Sequence, residues 1–160
     1  MSFRIGQGWD THQLVEGYEL VLGGEKIPFN KGSKGHSDGD VIFHSLTDAL
    51  LGASSLGDIG KYFPSSDDKW KNKESSYFLS YVYNLIKDNY MIYNIDCTVI
   101  LQQPHISSYI PNMIQNISNI LQIEINRISI KATTTDKLGF IGRGEGISAS
   151  SMVLLGVKKA

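Results

Sequence analysis

The sequence predicts an α/β (α+β) fold: a two-layer sandwich in which a mixed β-sheet packs against about three helices. Three observations predict it. Apolar residues recur at helical spacing in three separate stretches. The segments around them alternate apolar and polar residues, as strands do. The two patterns only partly alternate along the chain, which suits helices layered on a sheet.

The elements follow in order. Residues 3–5 are short and apolar and meet Gly6-Gln7-Gly8, so they read as a strand running into a loop. Residues 18–22 alternate weakly and meet Gly23-Gly24, which predicts a hairpin with residues 25–29. The polar, Gly-rich stretch 30–39 reads as a loop. A helix is expected from Asp38 or Asp40 to about Leu51, because Val41, Leu46, Ala49, Leu50 and Ala53 fit its period and Asp suits an N-cap. Residues 54–68 read as a further loop. The clearest helix covers 74–89, with Phe78, Tyr81, Val82, Leu85 and Ile86 as its apolar stripe. Residues 93–103 alternate through Ile95, Cys97, Val99 and Leu101 as a strand. A third helix carries Ile110, Met113, Ile114, Ile117 and Leu121. Residues 127–132 and 147–158 read as strands, with a loop at 133–146 between them.

Bulk properties narrow the function. A chain of 160 residues, 41% hydrophobic and 19% charged, is one domain, 1–160, with a real core. Its net charge of -1, from 15 basic and 16 acidic side chains, gives no basic excess for nucleic acid. An anionic ligand must therefore be held by local devices. Cys97 is the single cysteine, so any metal is held by His and carboxylates, and a reducing compartment is expected. No apolar run reaches membrane-spanning length, and the N-terminus carries no signal-peptide core. A bacterial cytoplasm is the expected location, or a plastid stroma if a transit segment has been removed.

Three constellations carry chemistry. In Asp10-Thr11-His12 an extended backbone points residues i and i+2 to one side, so both can reach one cation. Asp oxygen and His nitrogen suit zinc, whose catalytic sites take three protein ligands and keep an open position. The run His36-Ser37-Asp38-Gly39-Asp40-Val41-Ile42-Phe43-His44 lies at a loop-to-helix junction. Asp40, His44 and Asp48 share one helix face; His44 is a candidate third ligand, and Asp48 a candidate for fixing its ring. His36 and Ser37 suit substrate hydroxyls or phosphate. From Lys131 to Gly146, three threonines, three cations and four glycines follow a strand end, the composition of a phosphate cradle without Walker spacing. Asp136 within it suits a hard cation. Asp58, between Gly57 and Ile59, reads as a polyol acceptor or as a turn-forming Asp.

The strings Gly8-Trp9-Asp10-Thr11-His12, His36-Ser37-Asp38-Gly39-Asp40, Leu46 to Ala53, Leu56-Gly57-Asp58-Ile59-Gly60 and Lys131 to Gly146 occur in this order. Together they closely resemble the 2-C-methyl-D-erythritol 2,4-cyclodiphosphate synthase family, from about Arg4 to Val157. The resemblance implies a phosphorus-oxygen lyase of non-mevalonate isoprenoid synthesis. Its substrate would be 4-diphosphocytidyl-2-C-methyl-D-erythritol 2-phosphate and its products the cyclic diphosphate and CMP. It implies a homotrimer with active sites between subunits, one zinc per subunit on Asp10, His12 and His44, and magnesium or manganese with the diphosphate on Asp136. His36, Ser37, Asp58 and Gly60 match substrate-binding positions, and His36 and Thr134 match positions that stabilise the transition state. Ala132, Thr133 and residues 101–107 match the cytidine pocket. Phe140 and Arg143 match the lining of a cavity on the trimer axis, which in family members can hold an isoprenoid diphosphate. Three residues depart from the family's pattern. Asp136 stands where Glu is common, Pro104-His105 where Pro-Lys is, and Gln7 where His often is.

Two rivals differ in class. A zinc hydrolase would carry a general-base Glu, as in His-Glu-x-x-His, and this chain has no such motif. A non-catalytic trimer would bind cytidine nucleotide or isoprenoid diphosphate without turnover. A fusion with the preceding cytidylyltransferase is not expected within these 160 residues.

Overall fold

The computed structural model describes residues 2–35, 37–71 and 73–158. It contains β1 (Phe3–Glu16), β2 (Leu20–Leu22), β3 (Glu25–Ile27), β4 (Lys31–Lys34), α1 (Val41–Ala53), α2 (Ile59–Tyr62), α3 (Ser75–Ile86), β5 (Tyr90–Ile100), α4 (Ile110–Leu121), β6 (Ile128–Thr133), α5 (Gly139–Gly142) and β7 (Gly146–Val157). The main sheet has the order β4-β1-β7-β5-β6, and β2 and β3 pair separately as the expected hairpin. Only β5 and β6 run parallel; the other main-sheet pairs are antiparallel. The sheet is therefore mixed. Three longer helices cover it, while α2 and α5 have four residues each.

One strand was much longer than the sequence suggested. β1 has 14 residues and runs straight through the expected loop at Gly6-Gln7-Gly8. Glycine there is a packing requirement, because α1 crosses the strand at close range. A Cβ on Gly6 would lie 1.9 Å from the Ala49 carbonyl oxygen, and one on Gly8 would lie 1.9 Å from that of Ser45. The alternation of β1 is thus broken by the helix it supports. Residues 30–39, expected as a loop, contain the edge strand β4, antiparallel to β1 with Lys34 opposite Gln13. An edge strand of Lys, Gly and Ser carries no apolar alternation to read. Short helices also occupy parts of the expected loops at 54–68 and 133–146.

The core lies between α1, α3, α4 and one face of the sheet. Val41, Leu46, Leu50, Leu79, Met113, Val99, Ile147 and Leu155 are all buried there. The other face is uncovered in the single chain. Phe3, Ile5 and Trp9 of β1, Met91 of β5 and Met152 of β7 are exposed on it, Ile5 to 70%. Even-numbered β1 residues from Gly6 to Leu14 point toward α1, so Asp10 and His12 lie on the helix side. No described helix is long and apolar enough to cross a membrane.

Candidate metal centre and ligand pockets

The start of α1 fixes one corner of the site. Asp40 is fully buried at its N-cap and accepts from the backbone N–H of Ile42 and Phe43, both at 3.1 Å. It also accepts from Gly23 and Gly24 of the hairpin turn, at 3.0 and 2.8 Å. Burial pushes the Asp40 carboxyl up to about 6, against the pull of these N–H donors. One carboxylate therefore ties the β2–β3 turn to the helix that carries His44.

Asp10, His12 and His44 converge across α1 and β1. His12 Nε2 lies 3.0 Å from Asp10 Oδ2, and His44 Nδ1 lies 3.2 Å from it. The two ring nitrogens are 3.3 Å apart. Tetrahedral zinc with bonds near 2.0–2.1 Å separates its ligand atoms by about 3.3 Å, so the three atoms fit such an ion. They form the described His/carboxylate cluster able to hold a metal. His12 Nδ1 lies 2.9 Å from the Lys34 carbonyl, which can only accept, so that nitrogen carries a proton, and in the neutral ring Nε2 is the one with a lone pair for a metal. Burial would raise the Asp10 carboxyl, but hydrogen bonds from His12 and His44 outweigh it and hold the group well below the usual carboxylate range. Burial would lower His12, yet its pairing with Asp10 raises it above the usual imidazole value.

The far ring nitrogen of His44 meets two serines and not Asp48. Asp48, expected to fix that ring, instead accepts from Ile59 N–H at 3.0 Å and anchors α2. His44 Nε2 faces Ser75 Oγ at 2.8 Å and Ser37 Oγ at 3.0 Å. A cavity of about 320 Å³ opens beside the triad, lined by His12, Ser37, His44, Gly60, Phe63 and Trp70 among others. Asp58 is exposed and caps α2, accepting from Lys61 N–H at 3.0 Å. His36 lies outside the described residues.

The threonine-rich segment forms a second region. A cavity of about 180 Å³ is lined by Leu101, Gln102, Pro104, His105, Ala132, Thr133 and Thr134, among others. Thr133, Thr134 and Asp136 are exposed. Asp136 N–H donates to Thr134 Oγ1 at 3.2 Å, and Lys137 N–H donates to Gln102 Oε1 at 3.0 Å. Asp136 and Lys137 have φ of 53° and 65°, in the left-handed region, which turns the chain sharply after the threonines. Phe140 and Arg143 lie beyond, on and after α5. Phe140 lines a separate hollow with Gln13 and Glu145, and Arg143 Nε donates to Glu145 at 2.9 Å.

Strand register relates the two regions. Thr133 pairs with Ile100, Ile100 with Ser148, and Ser148 with Thr11. Both regions therefore sit at one end of the sheet. They stand three strand spacings apart, about 14 Å at the usual separation. Within one chain the fold brings together Asp10, His12, His44 and Ser37, and leaves Ala132, Thr133, Thr134 and Asp136 apart from them.

The sequence profile of the YgbB family matches residues 3–156. The chain belongs to the YgbB family. It is 51% identical to the 2-C-methyl-D-erythritol 2,4-cyclodiphosphate synthase of Geobacillus sp. (strain WCH70), over 96% of this chain and 98% of that protein. It is 49% identical to the synthase of that name from Bacillus subtilis (strain 168), over the same shares. Among solved structures, the bifunctional IspDF from Campylobacter jejuni superposes with a TM-score of 0.95 and 43% identity, over 99% of this chain and 43% of that one. The CDP complex of IspF from Plasmodium falciparum superposes at 0.86 with 43% identity, over 99% and 98%.

Some residues of this YgbB-family site were not found from sequence. The Lys34 carbonyl belongs to a strand with no sequence signature. Ser75 reads as an ordinary helix-start serine, and only the packing of α3 beside α1 brings it to His44. Phe63, Trp70 and Phe78 line the cavity but read as core or loop aromatics.

Proposed function

We propose that this chain converts 4-diphosphocytidyl-2-C-methyl-D-erythritol 2-phosphate to 2-C-methyl-D-erythritol 2,4-cyclodiphosphate and CMP, as a phosphorus-oxygen lyase of non-mevalonate isoprenoid synthesis. The observation that carries the reading is the triad. Three ligand atoms lie 3.0 to 3.3 Å apart beside an open cavity, in a chain about half identical to enzymes of that name.

In this reading Asp10 Oδ2, His12 Nε2 and His44 Nδ1 hold zinc, and Asp136 holds magnesium or manganese. Bound there, the two cations supply charge neutralisation for the reacting phosphates. Ser37, His36, Asp58 and Gly60 hold the methylerythritol part. The cavity at Leu101, Ala132 and Thr133 takes cytidine, a reading supported by the related CDP complex. Thr134 donates to the phosphate whose charge grows in the transition state, with His36 acting on the same charge. The 2-phosphate oxygen attacks the β-phosphorus, and the bond to the CMP oxygen breaks. An ionised phosphate is already a nucleophile, so no protein base is required. Holding both ends of one substrate supplies the orientation.

The 14 Å separation estimated from strand spacing supports sharing of the site between copies. The uncovered apolar face of Phe3, Ile5, Trp9, Met91 and Met152 suits burial in a homotrimer. In that assembly the threonine segment of one copy meets the metal centre of the next, and Phe140 and Arg143 face the shared axis. The partners are then a small-molecule substrate and two further copies, with no nucleic acid or membrane. A bacterial cytoplasm fits the bacterial relatives.

The test is CMP release from the substrate with zinc and magnesium, before and after chelation. Metal-dependent CMP together with the cyclic diphosphate is expected. No CMP from folded, zinc-loaded protein would overturn the catalytic reading in favour of a nucleotide- or isoprenoid diphosphate-binding trimer.

A further inference from the structure

We infer that Ser75 and Asp38 are positioning residues for His44, forming an ordered proton chain that fixes which ring nitrogen faces the metal. The inference rests on the metal-centre reading above.

Three elements meet at this chain. His44 belongs to α1, Ser75 begins α3, and Asp38 lies in the segment before α1. Ser75 is fully buried. Its hydroxyl lies 2.8 Å from His44 Nε2 and is hydrogen-bonded on the other side to Asp38 Oδ1. Asp38 Oδ2 also accepts from Ser75 N–H at 3.1 Å, and Asp38 Oδ1 from Asp40 N–H at 3.2 Å.

The direction of each bond follows from donor capacity. An ionised carboxylate only accepts, so the Ser75 hydroxyl donates its one proton to Asp38. Toward the ring, Ser75 Oγ then has only lone pairs, and His44 Nε2 must supply the hydrogen. With the proton on Nε2, the neutral ring has a bare Nδ1, the nitrogen 3.2 Å from Asp10 Oδ2. The same logic governs His12 through the Lys34 carbonyl. Both imidazoles are thus tied at the far nitrogen, so the nitrogens facing Asp10 are the ones left to take an ion.

A purely structural role for Ser75 does not account for the hydroxyl. Anchoring of α3 is already provided by the Ser75 backbone N–H on Asp38. Alanine at 75 keeps that bond and removes the hydroxyl that joins His44 to Asp38. Ser37 Oγ, 3.0 Å from the same ring nitrogen, is the secondary acceptor and itself accepts from Gly39 N–H at 3.2 Å.

The experiment is equilibrium competition for zinc between the holoprotein and a chromophoric chelator. Wild type, Ser75→Ala, Ser75→Thr and His44→Ala are compared, with thermal melts alongside. Ser75→Ala should lose roughly 10- to 100-fold in zinc affinity, the usual cost of removing an outer partner of a metal-bound histidine. Ser75→Thr, which keeps the hydroxyl, should recover most of that loss. Wild-type affinity in Ser75→Ala overturns the inference. Equal losses in the Ala and Thr variants overturn it too, because the hydroxyl then does not matter. The metal-centre reading fails separately, if wild type and His44→Ala retain zinc equally.

Discussion

The metal triad and the threonine segment stand at one end of the same sheet, yet they are built in different ways. Around Asp10, His12 and His44, both rings are tied on their far side, by the Lys34 carbonyl and by Ser75. The ligands come from a strand and a helix held in register by packing. Around Thr133, Thr134 and Asp136 the side chains are exposed, and their bonds are local turn bonds. The first region is organised by the fold before a ligand binds. The second has exposed donors at the rim of a cavity of about 180 Å³. Substitutions in the first should therefore move zinc binding, and those in the second should leave zinc in place.

The strongest test of this contrast is His44→Ala. It should lose most zinc and nearly all turnover, beyond the roughly 100-fold cost of losing an outer partner. Metal content and CMP release measure both, and near-normal activity without zinc would break the assignment. Next in size is Thr134→Ala. Turnover should fall about 10²- to 10³-fold, as for loss of one donor to transition-state charge. Zinc content should be unchanged, and stability should move by no more than about 0.5 kcal/mol. Zinc loss in Thr134→Ala would erase the distinction between the regions.

A pH series sharpens the contrast further. The raised pKa of His12 keeps that ring protonated to a higher pH than free imidazole, and zinc must displace the proton. Zinc affinity should begin to fall above pH 6.5 on acidification, approaching about tenfold per pH unit for each proton displaced. In the metal-free protein the signs differ between the partners. The stabilisation from His12 is present below 6.5 and is lost as pH rises through its folded value. That from Asp10 is present above 3.8 and is lost as pH falls through its lowered value. Zinc retention that is flat across this range would remove the proton competition. The smallest effect expected is on Asp136→Asn: a severalfold higher magnesium requirement with zinc and melting temperature unmoved. An unchanged magnesium titration would count against its role as a cation ligand.

The sequence was most legible where periodicity and chemistry coincided. The three longer helices, the hairpin and the Asp10, His12 pair could be read from local pattern and spacing, and His44 joined that pair as the expected third ligand through the family resemblance. Reading failed where tertiary contact decided the outcome. Gly6 and Gly8 looked like a loop because the reason for them is a helix some 40 residues away in the chain. β4 has no apolar alternation because it is an edge, and so the Lys34 carbonyl that orients His12 could not be anticipated. Asp48 had the right helical offset for His44, but its carboxylate turns to Ile59 instead. Spacing along a helix specifies a face; it does not specify which neighbour on that face a side chain meets.

The close crossing of β1 by α1 also bears on how this chain tolerates random change. At Gly6 and Gly8 the nearest obstacle to a new side chain is backbone carbonyl oxygen, which no rotamer change can move aside. Any codon change that replaces either glycine adds a Cβ, so alanine offers no milder alternative to a larger residue. Two and four positions before Asp10, the gene therefore has no room for drift. Gln7, between them, points away from the helix and faces no such limit.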